Sequence, residues 1–191
     1  SGAYDGQLWS YNAKYSEVGE GFNPEVGFLS RKNYRHTSIY GARRIRLGET
    51  AKLLELRPHA SYEGYWNFDG VYETGRIHID NLMFWKNGAS LSTAINFTHE
   101  SVIDAFDIVD GVRIRPGEYD HEELTVYAST DKSAPLNFGL RFIAGGFFGG
   151  DRVTAAPNIG YRVGDQFKVN FSVNHNDVKV PGGEFKFNLS Q

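Results

Sequence analysis

The chain has 191 residues, of which 23% are charged, and its formal net charge is −3. This length suits one domain with a sizeable core, and the charge balance gives no electrostatic reason to expect a nucleic-acid partner. Cysteine is absent, which excludes disulfides, thiolate catalysis and cysteine-based zinc sites.

Alternation of apolar and polar residues recurs along the chain and predicts extended strands. In chain order, the clearest runs are LWSYNAKY (8–15), ASLSTAINFTHE (89–100), LNFGLRFIAGGFF (136–148), RVTAAPNIGYRV (152–163), QFKVNFSVNH (166–175) and EFKFNLS (184–190). The turn signals GGDR, VGDQ and VPGG separate the later runs and favour antiparallel hairpins. The segment SVIDAFDIVDG (101–111) is compatible with one helical turn or with another strand.

These runs predict an all-β fold, an antiparallel up-and-down meander of about ten strands that forms a β-barrel or part of one. Many runs approach the 9–11 residues of a membrane-spanning strand, whereas strands of soluble proteins average about 5–6 residues. We expect a single barrel-like domain over residues 1–191, with residues 1–3 a cloning remnant. The alternative is a soluble β-sandwich, whose strands alternate in the same way. Pro157 lacks a backbone donor and predicts an edge position or a bulge.

Strand parity predicts how the two faces of the sheet differ. One surface is expected to collect ten apolar residues: Phe138, Leu140, Phe142, Ile159, Tyr161, Phe167, Val169, Phe171, Phe185 and Phe187. The opposite, polar surface is expected to collect five basic residues: Arg141, Arg152, Arg162, Lys168 and Lys186. Because those strands supply almost no acid there, partners must come from earlier strands, where Asp80 and Glu100 share the polar face.

Five residues are candidate binding residues. Arg141, Arg162 and Lys168 fit a basic stripe that attracts anionic solutes such as acidic sugars, although internal pairing explains them as well. Trp66 and Trp85 suit either sugar-stacking platforms or interfacial anchors at strand ends. The six histidines show no ligand spacing, so we predict neither a metal site nor a cofactor, and no catalytic constellation indicates an enzyme.

Three stretches resemble one bacterial family. They are GFNPEVGFLSRKNYR (21–35), GVRIRPGEYDHEELTVYASTDKS (111–133) and FFGGDRVTAAPNIGYRVGDQFKVNFSVNHNDVKVPGGEFKFNLS (147–190), the last being the most specific. They are similar to the C-terminal region of the DUF5916 family, whose members carry a family-9-like carbohydrate-binding module followed by an outer-membrane-like β-barrel.

The resemblance implies a segment of a longer barrel protein in the bacterial outer membrane. Its expected partners are membrane lipid and a carbohydrate or anionic solute, and the glycan link comes from the resemblance alone. The alternative is a periplasmic or secreted β-domain that binds carbohydrate or acts on glycosides. The family carries no established catalytic residues over to this sequence.

Overall fold

Strands make up nearly all of the regular structure. The computed structural model describes residues 1–23, 25, 31–164 and 166–191. The strands are β1 (Gly2–Asp5), β2 (Trp9–Val18), β3 (Tyr34–Arg43), β4 (Ile45–Arg46), β5 (Leu53–Trp66), β6 (Tyr72–Trp85), β7 (Ser90–Val102), β8 (Phe106–Val109), β9 (Val112–Ile114), β10 (Gly117–Ser129), β11 (Leu136–Phe147), β12 (Gly150–Val163), β13 (Phe167–Val180) and β14 (Gly183–Ser190). Among these residues, no helix is long and apolar enough to cross a membrane.

Twelve strands form one antiparallel sheet in the order β1-β2-β3-β5-β6-β7-β10-β11-β12-β13-β14, with β4 paired to β5. The long strands pair antiparallel in chain order, with the short β4 and the β8–β9 hairpin passed over, which confirms the all-β up-and-down meander. Ten strands have eight residues or more, in line with the expected number. The ambiguous segment 101–111 is extended, because it supplies the end of β7 and all of β8.

Two tight turns connect the last long strands. Phe148 and Gly149 join β11 to β12 with φ angles of 46° and 76°. Two successive positive φ values are typical of the type I′ turn, whose twist matches antiparallel strands. Pro181 and Gly182 join β13 to β14, as the VPGG signal predicts. The VGDQ signal and the 21–35 stretch include residues 165, 24 and 26–30, which lie outside the described residues.

The prediction for Pro157 is wrong, because this residue occupies neither an edge position nor a bulge. It lies inside the interior strand β12, where it pairs in register with Leu140 of β11. On the other side of β12, the pairing with β13 skips from Ala155 to Asn158 without a change of register. The missing N–H of proline removes a ladder bond there, and the flanking pairs hold the strand in place.

The two faces of the sheet differ in chemistry and in exposure. The face that we call the outer face carries aliphatic and aromatic side chains; Ile79 and Phe171 on it are each 52% exposed. The opposite, inner face is mostly polar and is buried in its middle, where Asn96 is 1% and Thr154 is 3% exposed, whereas Asn158, Arg162 and Lys168 nearer one end are exposed. One layer can bury a single face only by curling around it, so the polar inner face is concave.

The expected apolar surface is confirmed for eight of its ten members. Phe138, Ile159 and Phe171 are direct cross-strand partners, and the other five lie on the same outer face. The prediction is wrong for Phe185 and Phe187, which pair with Val178 and Asn176 on the inner face. The two-residue turn before β14 sets a register that places its odd-numbered residues inside.

The same register shows that the predicted face is wrong for one of the five basic residues. Lys186 lies on the outer face, opposite Asp177, and its Nζ is 2.7 Å from the Asp177 Oδ2 atom. The other four basic residues occupy the inner face, as expected.

A small hydrophobic core closes one end of the inner face. The β8–β9 hairpin folds back so that Val112 and Ile114 pack against Val178 and Val180, and all four are buried. Partly buried hydrophobic side chains surround them, among them Phe185. The hairpin therefore helps to explain the inward position of Phe185, which gains apolar contacts there.

Candidate functional site

The inner face carries a hydrogen-bonded polar network centred on Asn96. The Asn96 Oδ1 atom accepts hydrogen bonds from Nε and Nη2 of Arg76 at 3.1 and 2.7 Å. The same oxygen lies 2.7 Å from Nδ1 of His78, and the Asn96 Nδ2 atom donates to Thr125 Oγ1 at 3.1 Å. The contact between the Nε2 atoms of His78 and His59 extends the network to β5. Side-chain as well as backbone hydrogen bonds therefore connect four strands: β5, β6, β7 and β10. Polar groups that are this deeply buried are stable only when each has a partner.

Beside this network, two histidines and one carboxylate converge from β5 and β6. The Nε2 atoms of His59 and His78 are 3.2 Å apart. The Asp80 Oδ2 atom lies 3.8 Å from the first and 3.9 Å from the second. Asp80 is held in turn by the Ser92 hydroxyl at 2.6 Å and by the Thr93 backbone N–H at 3.0 Å. The three side chains form a compact donor set on the polar face.

The basic residues of the later strands find different partners. Arg152 forms an ion pair with Glu123 of β10, so an acid from an earlier strand does neutralise this part of the stripe. Arg162 lies opposite Lys168 on the inner face, and its Nη2 atom donates to the Ser133 carbonyl oxygen at 2.7 Å. Asp80 and Glu100 also lie on the inner face, as expected.

Arg141 and Lys168 line one cleft of about 380 Å³ together with Lys132. Tyr127 and Asn170 supply further polar groups, and no carboxylate belongs to the lining. Among the residues that the structure describes, Arg141 and Lys168 have no ion-pair partner within 4.0 Å. Three cations without an acid give this cleft the chemistry of an anion site. We call it the basic cleft.

The two candidate tryptophans lie away from the basic cleft, on the outer face. Trp66 ends β5 and its ring centroid is 5.1 Å from that of Tyr72 and 6.5 Å from that of Tyr62. Gly64 leaves room for these rings, because a Cβ there would meet Trp66 and Tyr62 at 2.5 Å. Trp85 ends β6 at the opposite end of the strands. The structure therefore brings together Arg141 and Lys168 but separates them from Trp66 and Trp85.

Aromatic residues line the outer face at both ends of the strands. One end carries the Tyr62, Trp66 and Tyr72 cluster. The other end carries aromatic side chains of β1, β2, β12 and β13, namely Tyr4, Trp9, Tyr11, Tyr161 and Phe167. Between them lie aliphatic residues such as Ile79, Ile95 and Leu124, which pair across β6, β7 and β10, together with a few aromatic residues such as Phe97 and Phe142.

Sequence reasoning missed the histidine cluster and the buried amide. One signal was present: the H-x-D spacing of His78 and Asp80 places both side chains on the same face of a strand. His59 lies nineteen positions earlier, and only the pairing of β5 with β6 brings it beside them. In comparisons with known proteins, no family model, no curated protein and no solved structure matches this chain.

Proposed function

We propose that this chain forms the wall of an outer-membrane-type β-barrel, in which the outer face contacts lipid and the inner face lines a polar space. One observation carries the proposal: the sheet exposes its apolar face and buries the polar side chains in the middle of the opposite face. Ile77, Ile79 and Ile95 lie side by side and are 46%, 52% and 48% exposed. Soluble monomers rarely leave contiguous apolar patches above about 300–600 Å² open to water.

Strand length and the aromatic rows support the same proposal. Nine strands have 10 to 14 residues, enough to cross a bilayer core at the usual tilt. Membrane barrels carry an apolar band flanked by aromatic girdles, because amphipathic rings favour the headgroup region. The apolar band that includes Ile79 and Ile95, between Trp66 at one end and Trp9 at the other, matches that arrangement.

The two edge strands require partners in this proposal. Within the described part of the chain, β1 and β14 terminate the sheet and do not pair with each other. An open edge in lipid leaves backbone groups without hydrogen bonds, so we infer that further strands complete the barrel. This agrees with the resemblance to the DUF5916 barrel region. A β-sandwich would instead need a second layer over the outer face, and the described residues contain none.

For the solute, the basic cleft favours an anion. Arg141, Lys168 and Lys132 face a concave space whose walls have a low dielectric constant, and such a space concentrates the field on a passing ion. Arg162 and Lys168 lie directly opposite each other, and like charges in that position are destabilising. A bound anion would relieve this repulsion. Acidic sugars have suitable chemistry, and the link to glycans rests on the family resemblance.

Labelling of adjacent residues tests the membrane orientation, because the chain has no cysteine of its own. Val169→Cys and Asn170→Cys place a nitroxide on the outer and the inner face of β13, respectively. After reconstitution in lipid vesicles, the label at position 169 should collide with dissolved oxygen and be protected from a water-soluble nickel chelate, with the reverse at position 170. Equal chelate access at both positions, together with folding in the absence of detergent, would refute the proposal.

The anion assignment has a separate test. We expect calorimetry in detergent to detect binding of a uronic-acid oligosaccharide and none of a neutral oligosaccharide of the same length. Arg141→Gln and Lys168→Gln should each weaken this binding at least tenfold. Lys14→Gln is the matched control, since Lys14 lies on the same inner face but on β2. Unchanged affinity in the two cleft variants would show that the cations serve the structure only.

A further inference from the structure

We propose that His59, His78 and Asp80 bind one divalent first-row transition-metal ion. Within the described residues, these three side chains are the group whose donor atoms all lie within 4.8 Å of one another. The site is independent of the proposed membrane function, because it depends only on the pairing of β5 with β6 and on the inner-face network.

The distances fit a metal with little rearrangement. Two imidazole nitrogens bound to zinc at about 2.0–2.1 Å with a tetrahedral angle are separated by about 3.3–3.4 Å. The Nε2 atoms of His59 and His78 are already 3.2 Å apart. The Asp80 Oδ2 atom, at 3.8 and 3.9 Å, must approach by about 0.5 Å, which a small side-chain rotation provides.

The hydrogen bonds of the rings direct both Nε2 lone pairs to one point. Nδ1 of His78 faces the Asn96 Oδ1 atom, which already accepts from Arg76, so Nδ1 must donate. Nδ1 of His59 faces the Arg57 carbonyl oxygen at 3.4 Å, and a carbonyl can only accept. In the neutral rings both Nε2 atoms therefore carry lone pairs that point at each other. A cation between them removes that repulsion.

The surroundings resemble the support that metal ligands receive in proteins. Metal-bound histidines donate their second ring N–H to a carbonyl or carboxylate, and ligating carboxylates are hydrogen-bonded in turn. Asn96 and the Arg57 carbonyl serve the two histidines, while Ser92 and Thr93 hold Asp80. The histidine side chains are 16% and 20% exposed and the Asp80 side chain is 8% exposed, so the donors are largely shielded yet reachable from the inner space.

The donor set determines the class of ion. Two imidazoles favour zinc, copper, nickel, cobalt or iron, whereas calcium and magnesium require mostly oxygen ligands. Three protein ligands leave at least one coordination position open towards the inner face. The site is therefore suited to hold an exchangeable ion or to present an ion to a solute.

A single shared proton between the two histidines is the competing explanation for the short Nε2–Nε2 distance. Zinc and cobalt titrations of the full chain, free of any affinity tag and folded in detergent, distinguish the two. We expect calorimetry to show that one equivalent of Zn²⁺ binds. Bound Co²⁺ should give an absorption band in the visible range, which disappears when Zn²⁺ displaces it. His59→Gln and His78→Gln should each weaken Zn²⁺ binding at least 100-fold, and Asp80→Asn at least tenfold.

The control is His175→Gln, since His175 lies on the outer face and bonds to Asn188. It should leave Zn²⁺ affinity unchanged. A second measurement needs no variant: the ring ¹⁵N resonances of two of the six histidines should shift when Zn²⁺ is added to the native chain. The proposal would be overturned if no histidine resonance shifted on addition of Zn²⁺. It would also be overturned if the native chain and the His78→Gln variant bound Zn²⁺ equally well.

Discussion

A lysine at the centre of the outer face gives the sharpest test of where that face lies. Ile95 is in the middle of β7, pairs with Ile79 and Leu124, and is 48% exposed. Complete burial of an isoleucine side chain stabilises a protein by about 1.5–3 kcal/mol, so contacts within the sheet account for about half of that. The lysine stem recovers part of these contacts. In water, Ile95→Lys should therefore cost about 1 kcal/mol or less.

In a bilayer the same substitution has a second cost. A lysine at the midplane of a lipid-facing strand destabilises a barrel by about 2–4 kcal/mol, and near the headgroups by about 0–1 kcal/mol. Val163→Lys is the matched control, because Val163 lies on the same face at the end of β12 and is 53% exposed. The two positions have similar exposure and differ in depth, so depth alone should separate their effects.

The assay is reversible urea unfolding in phospholipid vesicles, followed by fluorescence of the three tryptophans. We expect Ile95→Lys to lower the free energy of unfolding by at least about 2 kcal/mol more than Val163→Lys does. If the two variants agree within about 0.5 kcal/mol, which is the usual scatter for surface substitutions, the outer face does not contact the bilayer core and the reasoning fails.

Three further predictions concern the fold itself. Gly150→Ala should lower stability by about 1–3 kcal/mol, because its Cβ would lie 1.9 Å from a backbone carbonyl oxygen of β13, whereas Gly48→Ala, with nothing within 4 Å, should be neutral in the same urea assay. Ile114→Ala should cost about 2–5 kcal/mol and speed amide exchange in the β8–β9 hairpin, since Ile114 is 2% exposed; unchanged exchange would contradict its role in docking. The hydroxyl and backbone N–H of Ser133 lower the pKa of Asp131, so Ser133→Ala should raise that pKa towards its ordinary value in an NMR titration. A carboxyl group whose pKa is lowered in the folded state stabilises the fold at pH values above its ordinary, unfolded-state pKa. The difference in stability between this variant and the native chain should therefore vanish as the pH falls through the pKa of Asp131 in the folded state.

The local pattern of the sequence determined the strands and most of the face assignment. A side-chain period of two fixes which residues of one strand share a face, so Phe138, Ile159 and Phe171 could be grouped before any pairing was known. The same parity placed Arg141 and Lys168 on the polar face. Composition alone indicated a strand-rich fold, because aromatic residues and glycine suit strands and turns.

Relations between strands needed the tertiary structure. Phe185 and Phe187 lie on the inner face rather than the predicted outer face, because a two-residue turn and the β8–β9 hairpin set the register of β14. Neither constraint is visible in the sequence of that strand. The distance of Trp66 and Trp85 from the basic cleft could not be predicted for a similar reason. The place of a residue across a sheet depends on the pairing of every strand in between. The sequence also could not say which face would be buried, because alternation is the same whether the apolar side meets a core or lipid. The curvature of the assembled sheet decided this, and the pairing of β5 with β6 brought His59 to His78 and Asp80.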